Sequence, residues 1–109
     1  MDTTPLYSDF EEVTREEQID ISTTSQVIAN RRDVGLKRKV LVVLNNSDNE
    51  ADIIFVSFGS NKKAELNKGI KLKKGASFTD ANSEGYLSYQ GQINAICETI
   101  NGKILVFER

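Results

Sequence analysis

The chain predicts an all-β protein, an antiparallel β-sandwich or jelly-roll-like domain of seven to eight short strands behind an extended N-terminal arm. Three observations carry that prediction. Apolar residues come in short β-branched runs such as VLVVL (40–44) and IIFVSF (53–58), which suit strands and are too brief for a helical bundle. Glycine or asparagine stands at nearly every break between runs. The runs also recur every 8 to 15 residues, the rhythm of sandwiches and small barrels.

Composition sets the bounds. With 109 residues, 39% of them hydrophobic, the chain has room for one modest core and no second domain. A net charge of -2 supplies no bulk attraction to nucleic acid or to an anionic membrane. The single cysteine, Cys97, excludes an internal disulfide, and histidine is absent, so no metal-ligand cluster of the usual type is present. The N-terminus has neither the basic start nor the apolar core of a secretory signal, and no apolar run approaches the roughly 20 residues that span a bilayer. Synthesis in a reducing cytosol is the expectation.

Charge is unevenly placed along the chain. Residues 1–20 hold seven acids against Arg15, a net of -6, and residues 21–39 hold Arg31, Arg32, Lys37, Arg38 and Lys39 against Asp33, a net of +4. The expected partition is therefore an acidic arm over 1–30, containing a short helix and an edge strand, followed by a β-sandwich over 31–109.

Met1 to Tyr7 holds the only proline, Pro5, and lacks periodicity, which predicts an extended or disordered start. Ser8 and Glu11 have capping-box spacing and Phe10 and Val13 share a helical face, predicting about ten residues of helix that need a surface to lie on. Ile19 to Ala29 changes to a period of two and reads as an edge strand. Val34 to Leu36 reads as a brief extended piece within the polar connection that follows.

Val40–Leu44 and Asp52–Phe58 read as the two strands of a central hairpin, because both are apolar at consecutive positions and the intervening Asn-rich segment forms turns. Further strands are expected at Ile70–Lys74, with Ile70 and Leu72 inward, and at Ser77–Thr79, Tyr86–Gln90, Gln92–Ile100 and Lys103–Glu108. Asn101-Gly102 gives the strongest hairpin signal in the chain. Phe55, Phe58, Tyr86, Tyr89 and Phe107 all fall in these strands, which puts most of them in the core or at its rim.

Few residues carry chemistry. Cys97 sits mid-strand among Ala95, Ile96 and Ile100 and reads as a buried structural thiol, with no histidine to activate it. Glu11, Glu12, Glu16 and Glu17 read as a solvated face. The NNSDNEAD segment lacks the central glycine and terminal glutamate of a calcium loop and reads as a plain turn. Neither catalytic residues nor a cofactor or metal site are expected. Lys62, Lys63, Lys68, Lys71, Lys73 and Lys74 share 13 residues with only Glu65, a net of +5. That segment is a solvated face, a docking patch for an acidic protein surface or, less favoured for want of arginines and stacking aromatics, a nucleic-acid site. The acidic arm and the basic patch together suggest that the arm lies across a neighbouring copy or an underlying lattice.

Residues 31–109 also carry an ordered set of strings: RKVLVVLNNSDNEADIIFVSFG, GIKLKKGASF, YQGQINAICE and GKILVFER. A basic lead-in, a strand ending in Asn-x-Ser, a strand closing on an aromatic and glycine, Gly-Ile-x-Leu-x-x-Gly and a final Val-x-Glu resemble a group of small virion proteins of tailed bacteriophages. The resemblance implies a β-sandwich that decorates a capsid or forms part of a fibre, spike or tail attachment. It implies a homo-oligomer, a trimer favoured, and supplies no catalytic residues; no enzymatic activity and no membrane partner are expected, and a small nucleic-acid-binding protein is the less favoured alternative. The expected partner is the major capsid protein or another virion protein. On that reading Leu6, Tyr7, Phe10 and Val13 anchor the arm, while Arg31, Arg32, Lys37, Arg38, Lys62, Lys63 and Lys68 make basic junction and loop contacts. The expected location is the virion.

Overall fold

The computed structural model describes residues 15–32, 37–59 and 63–109. Their regular structure is eight strands: β1 (Arg15–Ile21), β2 (Gln26–Ala29), β3 (Val40–Asn45), β4 (Ile54–Phe58), β5 (Ile70–Leu72), β6 (Ser77–Ala81), β7 (Ile93–Cys97) and β8 (Gly102–Glu108). They make two four-stranded sheets, β1-β8-β3-β6 and β2-β7-β4-β5, with every pairing antiparallel. Position by position, the two orders match β1 with β2, β8 with β7, β3 with β4 and β6 with β5. This is one long ribbon folded over itself, the jelly-roll order.

The core forms where the inner faces meet. Leu41 and Val43 of β3, Ile104 and Val106 of β8 and Ile21 of β1 pack with Ile54 and Val56 of β4, Ile93, Ala95 and Cys97 of β7 and Leu72 of β5. Alternation is strict along β3 and β8, as two-sided strands require. Five outward residues of β3 and β8, Val40, Val42, Leu44, Leu105 and Phe107, are also apolar and only half-buried. On the opposite sheet a second small cluster, Phe55, Ile96 and Ala64 with Ile53, covers the outer face, so β4 and β7 are buried on both sides.

Four expectations are corrected. The stretch from Val40 to Phe58 is not a hairpin, because β3 and β4 lie in different sheets and the connection between them arches across the sandwich. The cause is visible at Asn45, which ends β3 pointing inward. Its side-chain amide donates to the carbonyls of Asp52 and Leu72, each at 2.8 Å, and its side-chain oxygen accepts from the Ser47 N–H. The chain is thereby turned toward the other sheet instead of back along its own. Asn101-Gly102 likewise joins β7 to β8 across the sandwich. There the glycine serves close approach, since a Cβ would sit 2.7 Å from Cys97 Sγ and 2.8 Å from the Ile21 carbonyl oxygen.

The third correction concerns Tyr86–Gln90, where the only ladder contact is an isolated Ser83–Tyr86 bridge. Side chains hold this segment instead, as described below. Fourth, the helix expected around Ser8 to Glu17 meets the described residues only at Arg15 to Glu17, and these are strand. β1 and β2 are the edge strands of the two sheets, so residues 15–29 belong to the sandwich and not to a separate arm. Tertiary pairing with β8 overrides the capping and charge signals that favour a helix there. The brief extended piece at 34–36 lies outside the described residues.

Candidate functional site: the loop end of the sandwich

Strand registers sort the connections into two groups. Arg15, Glu108, Leu41 and Asp80 form one row across the first sheet, and Ala29, Ile93 and Phe58 form the matching row of the second. The segments leaving these rows are the N-terminal arm, the connections 30–39, 59–69 and 82–92, and the C-terminal residue. All the long loops therefore share one end. Those three loops hold eight bases against three acids, a net of +5, whereas the four connections at the other end hold two bases against four acids.

One ionic cluster organises this end. Glu108, the last residue of β8, has a side chain only 2% exposed and faces three arginines. Arg15 Nη1 lies 2.6 Å from its Oε1, Arg32 Nη2 3.0 Å from the same oxygen, and Arg38 Nε 2.8 Å from Oε2. Burial pushes the Glu108 carboxyl up, but the hydrogen bond from Arg15 and the charges of Arg32 and Arg38 outweigh it and hold the group below the ordinary carboxylate range. For Arg15, burial acts to lower the guanidinium, and the bonds to Glu108 and Glu17 outweigh it, so the group is raised.

Arg38 is wholly buried. Beyond Glu108, its guanidinium donates to the carbonyls of Tyr89, Gly91 and Asn30. Its backbone N–H donates to the Gln90 side-chain oxygen, and its carbonyl accepts from Ser88 Oγ and Gln90 Nε2. One residue thus fastens two loops and the final strand together. The loop 82–92 is secured a second time by Asp80, which accepts from the Tyr86 hydroxyl and the Tyr89 N–H. The hydrogen bond to Asp80 is the first cause that raises the Tyr86 hydroxyl above its ordinary value.

Two of the hollows at this end border the cluster and the 82–92 loop. A polar one of about 420 Å³ lies between the β1 and β2 edges, over Arg15, Asn30, Arg31, Arg32 and Glu108. A mainly apolar groove of about 340 Å³ lies between the β5 and β6 edges, lined by Phe58, Ile70, Phe78, Tyr86, Tyr89 and Asp80. Phe58 sits at its base, edge-on to Phe78 at 5.5 Å and to Tyr89 at 5.2 Å between ring centres. Ile70 faces inward with Leu72, as expected from alternation, yet is 36% exposed because β5 is a three-residue edge strand beside this opening.

The expected contact residues divide. Arg31, Lys37, Lys63 and Lys68 are exposed at this end, Lys68 in an ion pair with Glu65. Arg32 is half-buried against Glu108, and Arg38 cannot meet a partner because it is buried and committed within the domain. Leu6, Tyr7, Phe10, Val13 and Lys62 lie outside the described residues. Sequence reasoning missed Arg15, Glu108 and the Phe58–Phe78–Tyr86–Tyr89 group. The closing Val-x-Glu string contained Glu108, but nothing local marked its carboxylate as buried. Cys97 is fully buried in the core. No family model, curated protein or solved structure matches the chain.

Proposed function

We propose that this protein is a non-enzymatic structural component of a bacteriophage virion, an auxiliary capsid (decoration or cement) protein. The observation that carries the reading is the gathering of three long loops, together carrying a net of +5, at one end of the jelly roll. Such an end is suited to lie on a larger protein surface, with the Arg15–Arg32–Arg38–Glu108 cluster fixing the loops from within. Jelly rolls are common among capsid proteins, an analogy of fold that raises the weight of the reading. The half-buried apolar stripe Val40, Val42, Leu44, Leu105 and Phe107 supports association of copies through the outer face of the first sheet. Many weak contacts multiplied by shell symmetry would then hold the subunits of the major capsid protein.

The exposed Tyr86 and Leu87 beside the aromatic groove favour a second reading, a fibre, spike or tail-attachment binding module. One experiment separates the two. Cryo-microscopy of purified particles is expected to find the chain on the shell; density in a fibre or spike supports the second reading, and absence from particles overturns both.

A further inference from the structure

Among the described residues each sheet ends on two edge strands, and three of the four are blunted. β1 bears Arg15, Glu16, Glu17 and Asp20, charges that discourage an added strand. β2 has four residues and a register shift between Val27 and Ala29, and β5 has only three residues. β6, Ser77–Ala81, runs five residues in unbroken register with a single charge, Asp80, already engaged by Tyr86 and Tyr89. Its hydrogen-bond alternation is fixed by the bonds from the Asn45 N–H to the Ala76 carbonyl and from the Asn82 N–H to the Lys39 carbonyl. Residues 76, 78, 80 and 82 therefore face β3, and the backbone N–H and C=O groups of Ser77, Thr79 and Ala81 point away from it, where no described strand lies.

We infer that β6 is the seat of a second copy of this chain, the two β6 strands pairing antiparallel about a two-fold axis at Thr79. In that register Thr79 bonds Thr79 and Ser77 bonds Ala81 in both directions, six backbone hydrogen bonds that use every outward group of both strands. Side chains agree with it. On the outer face Ser77, Thr79 and Ala81 are small, and on the inner face Asp80 of one copy falls opposite Phe78 of the other, so no like charges meet. Beyond the strand ends the same register brings Lys74 of one copy to the level of Glu84 of the other, with Lys73 next to it, and the two-fold axis repeats the arrangement. All three side chains are exposed and have no ion-pair partner among the described residues. An unrelated strand also fits the backbone groups; the second copy fits the end charges too. Pairing joins the two first sheets into one of eight strands, with the apolar stripes of both copies on a single outer face.

The pair goes beyond the proposed function and is tested without particles, so the two fail separately. A five-residue edge is a small contact for a dimer. The sedimentation mass of the unsubstituted full chain is therefore expected to rise from one chain toward two between about 10 µM and about 1 mM. Thr79→Pro removes an outward N–H without touching the β3 ladder and is expected to hold the mass at one chain. Cysteine substitutions read the register, since the native Cys97 is buried. Thr79 of one copy lies about 5.5 Å from Thr79 of the other between Cα atoms, within disulfide range, whereas the two Ser77 residues are about 13 Å apart. Under mild oxidation Thr79→Cys is expected to give at least five-fold more linked dimer than Ser77→Cys, or than Val42→Cys on the outer sheet face. Ser77→Cys mixed with Ala81→Cys is expected to link as Thr79→Cys does. This pattern decides the matter where Thr79→Pro fails to fold. A single-chain mass throughout that range, equal yields at 79, 77 and 42, or a two-chain mass that a folded Thr79→Pro leaves unchanged overturns the inference.

Discussion

Glu108 and Arg38 hold the loop end by opposing burial with charge. A carboxylate among three guanidinium groups is stable only while it is ionised, and its lowered proton affinity ties folding to pH. Because its folded value lies below the unfolded one, its contribution is complete above the unfolded value and is lost as pH falls through the folded value. Thermal melts are therefore expected to drop between about pH 5 and pH 3, and Glu108→Gln is expected to flatten that part of the profile. At neutral pH the same substitution leaves three arginines around an uncharged amide and is expected to cost about 3–5 kcal/mol in chemical denaturation. Arg38→Met with Glu108→Gln should cost less than the sum of the single changes, since each alone strands the other's charge. Asn45 is the second residue of this kind. Asn45→Leu strands the carbonyls of Asp52 and Leu72 and is expected to lower stability by about 2–4 kcal/mol on denaturant titration.

Among the elements, the arches matter more than the strands they join. Only β4 and β5 are consecutive strands paired with each other; every other connection crosses between sheets. Each crossing needs a residue that lets two sheets come close. At the β7–β8 arch this is Gly102, where a methyl group would press on Cys97 Sγ and the Ile21 carbonyl. Gly102→Ala is expected to lower the unfolding free energy by about 1–3 kcal/mol, because the contact on one side is rigid backbone. At the β4–β5 turn, Gly69 has φ +85° and a Cβ there would run into the Val56 carbonyl. Strand identity was legible from apolar runs, but which strands pair was not, since Asn-Gly and Asn-rich segments reverse a chain equally well within a sheet or across two.

For the whole molecule, the consequence of this topology is polarity. The jelly roll collects its long loops at one end and leaves shorter arches at the other, so loop charges spread over the sequence become a basic end and a mildly acidic one. Lys63→Glu with Lys68→Glu changes exposed side chains on that end and should leave the melting temperature nearly unchanged. The pair is expected to weaken association with particles in a co-sedimentation assay, and the unsubstituted protein is expected to bind less as salt rises. Equal binding at all salt concentrations would place the contact elsewhere, the outer stripe around Val42 and Phe107 being the apolar alternative.

The sequence by itself determined the all-β class, the approximate strands from Val40 onward except Tyr86–Gln90, the buried Cys97 and the surface position of Arg31, Lys37, Lys63 and Lys68. These follow from local periodicity and from the cost of burying an unpaired charge. Only the tertiary structure decided that β1 and β2 complete the sheets, that the presumed hairpins are arches, and that Arg38 is an internal clamp. It also decided that Phe58, Phe78, Tyr86 and Tyr89, from three separate stretches of chain, surround one groove. The reason is common to all four: pairing partner, facing sheet and counter-charge are set by residues distant in sequence. Arg15 and Glu108, 93 positions apart, meet because β1 and β8 are neighbours in a sheet.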